Sequence, residues 1–259
     1  MKRVIAFVCV IVLAMAVLAA CGQQPQVFNN NQQTPVTGDT DNGNVASTPA
    51  SSAAASSAAS SQAEVSIPEG NVTGTGTAPD GFKVEGVSLF SEYSNELFLF
   101  VTNNSGTDCN IKDIEINLFD ADGKIIDVKN SYSIDAVQDG TTVVENFYCD
   151  DPFASYEYTL TTEELDYYVP VDKDLAVEVS SATNKAIISV TNNGKVAAKY
   201  PEYQAFFYLN GKLVDTDWGY VDDADSEIKP GATERETASC YEDFDDVKVF
   251  IHSYADKDD

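Results

Sequence analysis

The sequence predicts an all-β protein in which two tandem antiparallel β-sandwiches follow a disordered linker. Three observations predict it. Over residues 81–259 apolar and polar side chains alternate with period two, in short runs rich in β-branched and aromatic residues. Asn-Asn-Ser-Gly, Asp-Gly, Asn-Asn-Gly and Asn-Gly break these runs where hairpins need positive φ angles. Finally, the stretch repeats itself. Strands this short can bury their inner faces only by pairing two sheets.

In chain order, Met1-Lys2-Arg3 is a basic start, and Val4 to Ala20 is an apolar run of 17 residues closing on small side chains. This is the layout of a secretory signal peptide over 1–20. The run falls just short of a comfortable span of an about 30 Å hydrocarbon core, so a retained transmembrane helix would be strained. Residues 21–80 consist mainly of Gln, Asn, Thr, Ser, Ala, Gly and Pro, including the run from Ser51 to Ser61. They bury too little apolar area to offset chain entropy, which predicts a disordered linker with a root-mean-square reach of roughly 40–45 Å.

The first sandwich is expected over 81–160 and the second over 174–259, with a joint at 161–173. Val101-Thr102-Asn103-Asn104 recurs as Val190-Thr191-Asn192-Asn193, 89 residues later. Ile114, Ile116 and Leu118 alternate as Tyr203, Ala205 and Phe207 do, at the same offset. Asp122-Gly123-Lys124 answers to Asn210-Gly211-Lys212, and Tyr132 to Tyr220, at an offset of 88. Gly140 and Gly231, and Cys149 and Cys240, keep an offset of 91. Agreement this extended means duplication. In the joint, Thr161 and Glu164 have the spacing of a capping box and predict a short turn of helix before Pro170.

Two resemblances follow from these residues. Leu18-Ala19-Ala20-Cys21 resembles the lipobox of bacterial lipoproteins. The resemblance implies that Cys21 receives a diacylglyceryl thioether, becomes the mature N-terminus, and anchors the chain to the outside of the bacterial cell membrane; two acyl chains suffice for stable anchoring. The order of strand, V-T-N-N, Ile116-Asn117-Leu118-Phe119-Asp120 and Asp122-Gly123-Lys124 resembles the FxLYD domain of bacterial surface lipoproteins, an immunoglobulin-like module. The second copy, Ala205-Phe206-Phe207-Tyr208-Leu209, departs further and lacks the Asp. Such modules share no catalytic residues, and fold analogy does not assign a function.

The charge restricts partners. The net charge is −27, and loss of Lys2 and Arg3 with the leader brings the mature chain to −29, which excludes nucleic acid and sets the globular part off from anionic headgroups. Catalysis has little to draw on: the only histidine is His252, read as an exposed strand-end residue, and no G-x-S-x-G accompanies it. The chain is therefore expected not to be an enzyme, with no catalytic residue, no cofactor and no metal. Asp120-Ala121-Asp122-Gly123 and the acidic stretch from Asp222 to Glu227 hold carboxylates together, without the ligand spacing of a calcium loop.

Trp218 and Tyr220 sit two apart in a strand and so face the same way. Buried, they would fill the sandwich; exposed, they would stack on a sugar ring or a peptide and form a ligand-binding site. Among Cys109, Cys149 and Cys240, a Cys109–Cys149 disulfide is the one intramolecular pairing available within a copy, while Cys240 persists without a partner, as a small buried apolar residue would. The functional expectation is a lipid-anchored binding or scaffolding protein. Its partners would be the membrane, through Cys21, and a cell-surface protein or glycan; the alternative is an accessory subunit of a membrane transport or secretion complex.

Overall fold

The computed structural model describes residues 58–61, 66, 71–92, 94–221 and 224–258. The expected signal peptide, Cys21 and most of the expected linker lie outside these residues. The described chain is all-β, and its single helical element is a 3-10 turn at Asp172–Asp174. No helix among the described residues is long and apolar enough to cross a membrane.

The first sandwich is built from β2 (Thr73–Thr77), β3 (Phe82–Phe90), β4 (Asn95–Asn103), β5 (Cys109–Phe119), β6 (Ile125–Asn130), β7 (Ile134–Val137), β8 (Thr142–Cys149) and β9 (Ser155–Glu163). One sheet has the order β3-β4-β8, the other β2-β9-β5-β6 with β7 also on β5. The second sandwich contains β10 (Tyr168–Pro170), β11 (Leu175–Ala182), β12 (Lys185–Asn192), β13 (Ala198–Leu209), β14 (Lys212–Tyr220), β15 (Glu227–Ile228), β16 (Thr233–Ser239) and β17 (Asp246–Asp256). Its sheets are β11-β12-β16, extended at the β11 edge by β1 (Ala58–Ser61), and β10-β17-β13-β14 with β15 on β13. Strand for strand, β3-β4-β8 matches β11-β12-β16, and β9-β5-β6 matches β17-β13-β14.

The repeated tetrapeptide has the same work in both copies. Val101 and Val190 are buried in their sandwich cores. Thr102 meets Thr142 across the sheet at 2.8 Å, and Thr191 meets Thr233 at 2.7 Å. Asn103 Nδ2 donates to the carbonyls of Thr107 (2.9 Å) and Val137 (3.2 Å), as Asn192 Nδ2 does to Val196 (2.8 Å) and Ile228 (2.7 Å). Each Oδ1 accepts a backbone N–H two residues on, from Ser105 at 3.0 Å or Gly194 at 2.8 Å. A buried amide thus satisfies backbone groups of two loops, which leaves no substitute at that position. The Asn210-Gly211 hairpin between β13 and β14 takes positive φ at both residues, 53° and 77°, as a two-residue turn requires.

Three boundaries differ from the sequence expectation. Residues 73–77 and 58–61, assigned above to a disordered linker, are strands: β2 pairs parallel to β9 and β1 antiparallel to β11. The β2 sequence, Thr-Gly-Thr-Gly-Thr, has no apolar side chain to betray it; its glycines allow rings to lie on the backbone, since a Cβ at Gly74 would come within 2.0 Å of the Tyr156 ring. The turn of helix expected at Thr161–Asp166 is absent. Thr161 and Thr162 continue β9 opposite Asp113 and Ile111, because β-branched residues fit the extended ladder already in place. The second sandwich then begins at β10 rather than at residue 174.

The two sandwiches are not separate beads. Leu97, Leu99 and Val101 of β4 fill the first core, while Phe98 and Phe100 point the other way into a cluster with Phe206, Tyr208 and Phe250 of β13 and β17. The outer face of β3-β4-β8 therefore packs on the outer face of β17-β13-β14, giving four stacked sheets. Continuous apolar runs such as Leu97–Val101 and Ala205–Tyr208 are what a strand buried on both faces requires.

Two outcomes are expected in urea denaturation. Asn103→Ala or Asn192→Ala lowers stability by about 2–3 kcal/mol, because buried carbonyls lose their donor. Phe206→Ala costs about 3–5 kcal/mol, the range for a large aromatic removed from a packed core, although Phe206 belongs to neither sandwich core.

Candidate functional site

Beside the aromatic cluster the two sandwiches leave a cleft. It is lined by β7 and β8 of the first and by β13, β14 and β17 of the second. One part is a cavity of about 250 Å³ bordered by Asp135, Glu145, Glu202, Gln204 and His252. It continues past Trp218 and Tyr148 into a groove of about 410 Å³ whose other walls include Glu96, Asp215, Asp217 and Tyr241.

Trp218 and Tyr220 are both exposed, at 54% and 44% of their surface, and their rings meet edge to face with centroids 6.4 Å apart. The packing alternative for this pair does not hold, since β14 turns that face away from the sandwich core. What the sequence did not connect is Tyr148 of the first sandwich, 58% exposed, and Tyr241, 90% exposed, which line the same groove as Trp218. Tyr148 lies 70 residues from Trp218 in sequence, and only the docking of the two sandwiches brings them together. Tyr132, the repeat partner of Tyr220, is exposed in the loop between β6 and β7.

The carboxylates of the groove are already engaged. Asp217 Oδ2 accepts the Ser239 N–H at 2.7 Å, and Asp215 Oδ2 accepts the Tyr241 N–H at 2.6 Å, fixing β14 to the end of β16. Glu96, buried to 7% exposure, accepts from Ser94 Oγ at 2.7 Å and from Asn146 Nδ2 at 2.9 Å. The Asn146 Oδ1 is buried and has no partner. Deeper in the cleft, burial and then repulsion from Glu202 push the Glu145 carboxyl up from 4.5 to about 7. Burial also raises Glu202, against the opposing pull of His252.

His252 is not the exposed strand-end residue the sequence indicates. It lies within β17 with its side chain 19% exposed, and it touches both sandwiches. Nδ1 lies 3.2 Å from Asp172 Oδ2, and Nε2 lies 2.9 Å from the Asp135 carbonyl of β7.

The Cys109–Cys149 disulfide is absent: Cys109, Cys149 and Cys240 are all free and buried. Cys149 lies opposite Asn95 at the start of β4, whereas the Cys109 Sγ lies beside Asn103 at its end. Eight residues of strand put the two roughly 25 Å apart, far beyond bridging distance. Burial pushes the Cys149 and Cys240 thiols up to about 11, so neither is a ready nucleophile. Of the acidic stretches, Asp120 Oδ1 is occupied by the N–H groups of Asp122 (3.0 Å) and Lys124 (2.9 Å) in its own turn, and Asp222 and Asp223 lie outside the described residues. Among the described residues no group of three or more His, Cys, Asp or Glu side chains is arranged to hold a metal ion.

No family model and no curated protein matches the chain. Among solved structures it is similar to the crystal structure of red sea bream transglutaminase, at 11% identity and a TM-score of 0.22, over 66% of this chain and 29% of that one. The chain thus spans less than a third of that structure's length. The expectation that the chain is not an enzyme is withdrawn on this finding, since the matched structure is an enzyme's; at this TM-score the likeness assigns no activity to the chain.

The raised Glu145 carboxyl sets a pH dependence with a definite sign. Between its ordinary 4.5 and about 7 the folded chain holds a proton that the unfolded chain has lost, so this group's contribution to stability falls as pH rises through that window. Glu145→Gln removes the effect: its urea midpoint should exceed that of the wild type at pH 8 and approach it at pH 4.

Proposed function

We propose that this chain is an extracytoplasmic lipoprotein, anchored through Cys21, that binds a cell-surface glycan in the groove between its two sandwiches. One observation carries the binding half of the reading: exposed aromatic rings from both sandwiches, Tyr148 from the first and Trp218 and Tyr241 from the second, line a single groove. Monomeric proteins seldom leave several large rings grouped at the surface without a use for them. Indole and phenol faces stack on the apolar faces of sugar rings, and the groove's carboxylates, on Glu96, Asp215 and Asp217, are held in place by their own hydrogen bonds. A stacked pair of sandwiches is also a stiffer platform than two beads on a string, so the ring spacing is set before the ligand arrives.

The anchor supports the same reading from the other end of the chain. Lipid attached to Cys21 would hold the acidic domains outside the membrane, with the groove open to surface polymers.

Two measurements test the reading. Palmitate labelling of cells expressing the chain should mark the wild type and not Cys21→Ser. In affinity electrophoresis through gels containing wall polysaccharides, the wild type should be retarded, and Trp218→Ala or Tyr148→Ala should lose at least tenfold in apparent affinity with unchanged unfolding midpoints. Equal migration of all three proteins in every polymer would remove the glycan.

A further inference from the structure

The cleft beneath the groove brings together groups whose charges oppose one another once all are ionised. His252 is the centre. Its two ring nitrogens face only acceptors, the Asp172 carboxylate of its own sandwich at 3.2 Å and the Asp135 backbone carbonyl of the other at 2.9 Å. A neutral imidazole has one N–H and can satisfy only one of them; the imidazolium donates to both. Asp172 is itself 1% exposed, and its second oxygen is held by the Ser253 N–H at 2.8 Å, so the acceptor cannot swing away.

The other groups around the ring are acids and a phenol. Glu202 faces it from β13, Asp135 from β7, and Tyr254 follows it on β17. Behind Asp135 stand Glu163 of β9 and Asp166, and Glu145 of β8 faces Glu202 across the cleft. Lys173, next to Asp172 in sequence, is turned to the first sandwich, where its Nζ donates to the Asp139 carbonyl.

We propose that this cluster is a proton-operated latch: protonated His252 ties the rims of the two sandwiches together, and ionisation of both Glu145 and Glu202 drives them apart.

The latch does not depend on the identity of the groove's ligand. All the shifts run the same way. Burial works against the imidazolium, but Asp172 and the Asp135 carbonyl outweigh it and hold His252 above its usual 6.5. Glu145, Glu202 and Asp135 are each raised, chiefly by burial. A base raised by its partners contributes below pH 6.5 and loses that contribution as pH rises through the folded value. The raised acids cost nothing while protonated and begin to repel as they ionise. The rim is therefore closed in mildly acidic surroundings and opens above neutrality, while the Phe98–Phe206 cluster still holds the sandwiches together.

The chain carries one histidine and one tryptophan, and both border this cleft. On the full chain, the imidazole nitrogen shifts should show both nitrogens protonated at pH 6 and a titration midpoint above 6.5. Trp218 emission should shift to the red between about pH 6 and 8.5 as the rim opens. The double variant E145Q/E202Q should lose at least half of that shift, and His252→Gln should give the red-shifted emission already at pH 6. A His252 midpoint at or below 6.5, or a wild-type Trp218 emission that does not move with pH, overturns the latch; both readings come from the wild type, so a variant that fails to fold leaves the test intact.

Discussion

The arrangement depends on four phenyl rings. Phe98 and Phe100 of β4 meet Phe206 of β13, and Phe100 also meets Phe250 of β17, with centroids 5.0–5.1 Å apart in edge and tilted contacts; Phe206 and Phe250 lie 5.9 Å apart, and all four rings are at most 3% exposed. Each such pair adds about 0.5–1.5 kcal/mol to what burial alone gives. Tandem domains joined by a short segment move relative to one another unless their interface is large and apolar. Here it is apolar, and the groove, the cleft and the environment of His252 all exist because this contact fixes one sandwich against the other.

The contact is asymmetric, although the two halves are duplicates. The first copy offers the outer face of its smaller sheet and the second the outer face of its larger one. The specialisation is visible in single positions. Where β4 carries Phe98 and Phe100, the matching β12 carries Ile187 and Ser189, half-buried on its outer side; where β13 carries Phe206 and Tyr208, β5 carries Asn117 and Phe119. The inward residues kept their character in both copies because both still fill a sandwich core. The outward ones diverged according to whether they met a neighbour or water.

An acidic chain also has to bring like charges together when its halves dock. The aromatic cluster meets that repulsion at the centre of the interface, and most peripheral carboxylates are held by N–H donors: Asp215 and Asp217 by backbone amides, Asp172 by Ser253 and His252. Glu145 stands apart: it faces Glu202, itself held by the Gln204 side chain, with burial against both. A raised pKa is the physical answer to that placement, since a proton is the cheapest counter-charge at hand.

The sequence by itself determined what depends on neighbours a few residues away. The strands, the positive-φ hairpin at Asn210-Gly211, the inward alternation of Ile114, Ile116 and Leu118, and the repeated Val-Thr-Asn-Asn were legible because strand period, turn chemistry and a buried amide leave local signatures. Only the tertiary structure decided the rest. Period-two reading assigns one buried face per strand, so the second buried face of β4 and β13 stayed hidden in their unbroken apolar runs. β2 stayed hidden because its place is secured by backbone pairing and by a tyrosine ring lying on glycine. The cysteines looked pairable in one dimension, but the length of β4 separates them. His252, Glu145, Trp218 and Tyr148 acquire their shared surroundings from docking alone, because an interface between two sheets is a property of surfaces that are far apart in the chain.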